Sequence, residues 1–144
     1  MGLFNRSPAH ARLPRGRFAP LPEENFIRVV GESYCQRELT RLRDRCVPGV
    51  EGRPSFPVAL VPEPDKPYDP QAVAVIAEVG RVGYLPRDDA QRYAPTLRAL
   101  VDRGFDGASC TGLLNGGETD RPSFGVVLTL SYPEACEQFV SVPT

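Results

Sequence analysis

Between residues 62 and 70 four prolines, Pro62, Pro64, Pro67 and Pro70, alternate with charged residues, Tyr68 and Asp69. Proline fixes φ and lacks a backbone donor, and the residue before each proline is pushed out of the helical region. Residues 63–71 are therefore expected to form a stiff, extended loop, neither helix nor strand interior. Immediately after it, Ala72-Val73-Ala74-Val75-Ile76-Ala77 is an apolar run of strand length. Gly80 permits a reversal, and Val82-Gly83-Tyr84-Leu85 reads as the return strand. A rigid loop carrying an aromatic ring and a carboxylate beside a hairpin is a candidate functional element, because display on a stiff loop is a common mode of presenting binding groups.

The rest of the 144-residue chain falls around this stretch. Residues 1–25 are rich in Arg and Pro without periodicity, and are expected to be a disordered arm bearing Arg6, Arg12, Arg15 and Arg17. Phe26-Ile27-Arg28-Val29-Val30 is the first strand. Residues 36–46 place Leu39, Leu42 and Cys46 on one helical face. Residues 47–57 are a Gly/Pro-rich connector before a strand at 58–61. A second helix starts at Asp88 or Asp89, where acids suit the dipole, and stops at Gly104, with Pro95 breaking its pattern. Residues 108–114 and 123–130 are strands, and Asn115-Gly116 is a strong hairpin signal. Residues 133–144 read as a C-terminal tail. Six strands and two helices make an α+β, mainly β, fold.

Composition narrows the function. Net charge is −1, and beyond Gly104 only Arg121 opposes Asp106, Glu118, Asp120, Glu134 and Glu137. A general basic coat for nucleic acid is absent, so any such site must be local. No apolar run of membrane-spanning length exists, and the start lacks a secretory h-region; a cytoplasmic location is the expectation. Cys35, Cys46, Cys110 and Cys136 contain no C-x-x-C pair. Cys35 and Cys46 on one intact helix would lie roughly 16 Å apart along its axis, too far for a disulfide, so reduced thiols are expected. No cofactor or metal is expected.

The segment PDKPYDPQAVAV, followed by VGYLPR and preceded by Val29-Val30-Gly31-Glu32-Ser33-Tyr34, resembles the HIRAN domain. HIRAN domains occur fused to helicase-like remodelling ATPases and as free-standing bacterial proteins. The resemblance spans about residues 27–131 and implies a six-stranded, OB-like small β-barrel flanked by two α-helices, here within residues 26–132. In the helicase-like relative the domain grips the 3′ end of single-stranded DNA. Carried over, the DNA-binding positions are Ser33, Tyr34 and Cys35, Tyr68 and Asp69, and Tyr84 with Arg87. Tyr34 and Tyr68 would stack on terminal bases. Asp69 would accept a hydrogen bond from the 3′-OH and repel a 3′-phosphate, and Arg87 would hold a backbone phosphate.

Three positions depart from that relative. Ser33 stands for an arginine, Cys35 for a tyrosine and Tyr84 for a histidine, so weaker binding, confined to two terminal nucleotides, is expected. Gln71 stands where asparagine is usual. The resemblance implies a non-enzymatic, monomeric module for single-stranded DNA 3′ ends in DNA repair or replication-stress handling, alongside other repair proteins. Each residue also has a plainer role: Tyr34 as a plug, Asp69 as a turn cap, Tyr84 facing the core, Arg87 as a surface residue. Two rivals are a protein-interaction adaptor using the same groove and a metal-dependent nuclease built on Glu63, Asp65 and Asp69.

Overall fold

The computed structural model describes residues 10–141; Arg6 of the arm and Pro143 of the tail lie outside the described residues. The fold is mainly β with three helices. Its strands are β1 (Phe18–Pro20), β2 (Phe26–Arg28), β3 (Val47–Pro48), β4 (Pro54–Pro62), β5 (Val73–Ala77), β6 (Gly80–Tyr84), β7 (Gly107–Asn115) and β8 (Gly125–Thr129). Helix α1 (Gln36–Arg43) follows β2, α2 (Arg87–Asp102) follows β6, and α3 (Pro133–Ser141) follows β8. The six strands expected from the sequence form one curled antiparallel path, β2-β8-β7-β4-β5-β6. The two ends of the path meet where Val30, just beyond β2, exchanges hydrogen bonds with Tyr84 of β6 at 2.9 and 2.8 Å.

Gly83 makes that meeting possible. A Cβ there would stand 2.7 Å from the Val30 carbonyl oxygen and closer still to Val29 Cγ1. Inside the sheet, Phe56, Val58 and Leu60 of β4 and Val73, Val75 and Ala77 of β5 follow the two-residue period that sends alternate side chains to one face. Leu39 and Leu42 of α1 and Tyr93, Leu97 and Leu100 of α2 complete the core. Pro57 interrupts neither ladder. On the edge away from β7 it falls between the residues that pair with β3 and those that pair with β5, so no strand lies opposite it there.

Three expectations need correction. The arm is ordered from His10 onward as far as the structure describes it: β1 pairs in parallel with β7, the Leu21 N–H donates to the Ser109 carbonyl, and the Glu23 carboxylate accepts from Thr111 N–H and the Thr129 hydroxyl. The C-terminal segment is a helix, not a loose tail. Pro133 opens it, where a missing donor costs nothing, and Cys136 and Val140 are buried against the body. Arg92 pairs with Glu134 at 3.1 Å, and Arg103 donates to the Val140 carbonyl at 2.7 Å. The buried Tyr93 hydroxyl donates to the Ser131 carbonyl at 2.7 Å, fixing the chain just ahead of α3.

The third correction concerns the proline loop, which is not extended. Lys66 N–H donates to Glu63 O, Asp69 N–H to Lys66 O and Ala72 N–H to Asp69 O, at 3.2, 3.2 and 3.0 Å. These are three linked β-turns. Pro64, Pro67 and Pro70 each occupy the second position, where a φ near −65° is already correct. Glu63 N–H donates to Ala72 O at 2.9 Å and closes the neck. The loop is stiff, as expected, but by repeated turning.

No cysteine is in a disulfide. Burial, with Asp44 nearby, pushes the Cys46 thiol up to about 11, and burial alone does the same for Cys136. Such thiols stay protonated and unreactive near neutral pH. No helix among the described residues is long and apolar enough to cross a membrane.

Candidate nucleic-acid interface

Two of the seven sequence-derived positions are strongly exposed tyrosines. Tyr34 and Tyr68 are 87% and 89% exposed. Neither ring supports the core, so Tyr34 does not plug the sheet. Each sits on a fixed support. Tyr68 is the third residue of the middle turn of the proline loop. Tyr34 ends a single 3-10 turn, Glu32–Tyr34, entered through Gly31 at φ 81°, a left-handed conformation that glycine adopts without steric cost.

That turn is pinned to the chain entering β8 by residues with no marked sequence signal. The Gln36 side chain donates to the Phe124 carbonyl at 2.9 Å and accepts from the Phe124 N–H at 2.8 Å, replacing a strand partner. Its amide also donates to the Glu32 carbonyl at 3.0 Å, while the Glu32 carboxylate accepts from Val126 N–H at 3.2 Å. Replacing Gln36 with Ala strands both Phe124 backbone groups. We expect Gln36→Ala to lower stability by about 2 kcal/mol in urea denaturation; unchanged stability would show that solvent satisfies those groups equally well.

Arg87, the first residue of α2, clasps the tip of the proline loop. Its Nη2 donates to the Tyr68 carbonyl at 3.0 Å, and its Nε lies 3.8 Å from Asp69 Oδ2. The two groups predicted to meet the sugar end and the phosphate are therefore already paired. The guanidinium keeps further N–H donors, so this contact does not use it up. Ser33 is exposed, whereas Cys35 is 3% exposed and offers no side-chain surface to a ligand. Tyr84 is half-buried on β6 and is reached by both loop and strand.

Two cations around Tyr84 escape a reading by sequence pattern. Lys66 Nζ stands 3.9 Å from its ring centroid, and Arg81 Cζ 5.1 Å. Arg81 also donates to the Tyr84 hydroxyl at 3.0 Å. Residues 81 and 84 would point to opposite faces of a regular strand. Here Val75 pairs with Gly83 but Ile76 pairs with Arg81, leaving Val82 as an extra residue. This β-bulge reverses the alternation and puts Arg81 and Tyr84 on one face. Lys66 is the only lysine in the chain, and it stands at the junction of the first and second turns of the loop. Glu63, Asp65 and Asp69 do not gather into a trio placed to hold a metal ion; no such group occurs among the described residues.

The candidate positions and their neighbours thus supply three aromatic rings, Tyr34, Tyr68 and Tyr84, three cations, Lys66, Arg81 and Arg87, and the Asp69 carboxylate beside Arg87. Rings for base faces and cations for phosphates are the ingredients of single-strand binding. Against known proteins, the family model described as the HIRAN domain matches residues 26–109. No curated protein and no solved structure matches the chain.

Proposed function

The chain belongs to the HIRAN domain family, and from that premise we propose that it is a non-enzymatic DNA-binding module that recognises the 3′-OH end of a single strand. The observation that carries the reading is the pair of almost fully exposed tyrosines on braced turns, one of which, Tyr68, adjoins the Asp69–Arg87 pair. We read the curled sheet, its ends joined at Val30 and Tyr84, as an OB-like barrel, and residues 26–132 as the binding unit, acting as a monomer in the cytoplasm. The setting proposed is DNA repair or replication-stress handling.

In this reading Tyr34 and Tyr68 stack on the terminal bases. Asp69 accepts a hydrogen bond from the 3′-OH while Arg87, held beside it, turns a free N–H to the neighbouring phosphate. A 3′-phosphate would bring two negative charges against Asp69 and is refused. The loop's prolines, the two turn hydrogen bonds of Asp69 and the Arg87 clasp hold Asp69 in place, so little ordering is left to be done on binding.

The test is fluorescence anisotropy at low salt with 5′-labelled oligo-dT ending in 3′-OH or 3′-phosphate. The wild type should prefer 3′-OH by about tenfold, from like-charge repulsion, and Asp69→Asn should bind both ends alike. Equal binding of both ends by the wild type would reduce the protein to a non-specific strand binder. A second reading, a protein-interaction adaptor, draws on an apolar groove of about 390 Å³ between the back of the proline loop (Pro62, Pro64, Pro70) and α2 (Leu97, Val101). Absence of any DNA binding would favour it.

A further inference from the structure

Tyr84 has its ring occupied in the free protein, by Lys66 at 3.9 Å and Arg81 at 5.1 Å. No carboxylate among the described residues lies within ion-pair distance of either cation; the ion pairs of the described residues involve Arg45, Arg87 and Arg92. Glu63 acts on Arg81 only at longer range. Two positive side chains without acidic partners, gathered on one half-buried ring, are short of an anion. The ring offers only the weak attraction of its quadrupole.

We propose that Lys66 and Arg81 are a phosphate-binding pair that covers Tyr84 in the free protein and transfers to the strand backbone on binding. The inference rests on the DNA-end reading above and adds two residues and a rearrangement to it. Lys66 is suited to the move: its backbone is fixed at the junction of two turns, through Glu63 O and Asp69 N, while its four-carbon stem is exposed. Arg81 is anchored on β6 and can turn its fork from the Tyr84 hydroxyl to phosphate oxygens in two parallel contacts. As the cations leave, the Tyr84 face becomes free to stack on a base. Arrival of the strand thus opens the platform and supplies the grip in one event. A phosphate is the ligand that fits because both cations remain at the surface, where a full negative charge is met without burying either of them.

The experiment measures affinity for 5′-labelled oligo-dT with a 3′-OH across a salt series, for the wild type, Lys66→Gln, Lys66→Arg and Arg81→Gln. Lys66→Gln and Arg81→Gln should each bind roughly fivefold more weakly at low salt, and the slope of log K against log salt should shrink by about 0.7, the value for one single-strand phosphate contact. Lys66→Arg should keep the wild-type slope. If Lys66 merely obstructs the ring, Lys66→Gln will bind as tightly or more tightly, with an unchanged slope, and the inference fails. Retention of the 3′-OH preference in that case leaves end recognition standing. Failure of the wild type to bind at all would overturn both.

Discussion

Gly83→Ala is expected to destabilise the protein by about 3 kcal/mol, at the upper end of the range for forcing extra volume into a close-packed site. The added methyl meets the Val30 carbonyl oxygen at 2.7 Å, and Val29 Cγ1 is nearer still. One obstacle is backbone and the other a buried core side chain, so neither gives way by a simple rotamer change. Relief requires Val30 and Tyr84 to separate, and with them the two ends of the sheet. Urea denaturation measures the loss. Hydrogen exchange localises it, because the Val30 and Tyr84 amides should lose protection before those of β4 and β7. A variant with full stability and protected amides would show that the ends of the sheet are not held together there. The same change should weaken DNA binding, since Tyr84 carries both the bridge and the ring that Lys66 and Arg81 cover.

The double variant Tyr34→Ala, Tyr68→Ala should behave in the opposite way. With each residue 87% or more exposed, stability should stay within about 0.5 kcal/mol of the wild type. Binding of oligo-dT should fall by about thirtyfold or more, given roughly 1–3 kcal/mol for each stacked base. Anisotropy and thermal denaturation on the same samples separate the two effects. Wild-type affinity in the double variant would remove these rings from the interface. Together the two variants distinguish residues that build the face from residues that use it.

Most of the scaffold was legible because it obeys local rules. The apolar run at 72–77 and the Leu39–Leu42 stripe report elements that survive in the fold, and Asn115-Gly116 marks the end of β7, whose hairpin with β8 closes through residues 116–124 and not through a two-residue turn. What was missed depends on partners far along the chain. β1 is three residues with a terminal proline, and only β7, some ninety residues away, makes it a strand. Helix α3 is short and starts with a proline, which the sequence alone presents as a breaker; its apolar residues at 133, 136 and 140 gain meaning once α2 is beside it. Among the candidate site residues, Tyr34, Tyr68, Asp69 and Arg87 could be named from residue type and motif. Arg81 could not, because a single extra residue in β6 reverses its direction. A clue to Lys66 was present in the spacing of Pro64, Pro67 and Pro70. That spacing of three signals consecutive turns, which fold position 66 back toward the hairpin.

The same spacing governs how this loop can change length. Its ladder uses the N–H groups of residues 66, 69 and 72 as donors and fills the second turn positions with prolines. Removing or adding a whole triplet preserves that phase, so the neck from Glu63 to Ala72 can still close. Any other number slides a proline either onto a donor position, where it has no hydrogen to give, or onto the third turn position, where it is disfavoured. The loop is thus counted in threes, and its reading frame is set by backbone hydrogen bonds. A relative with a longer or shorter reach toward its ligand would differ here by multiples of three residues, with the tyrosine and carboxylate still side by side at the tip of a turn.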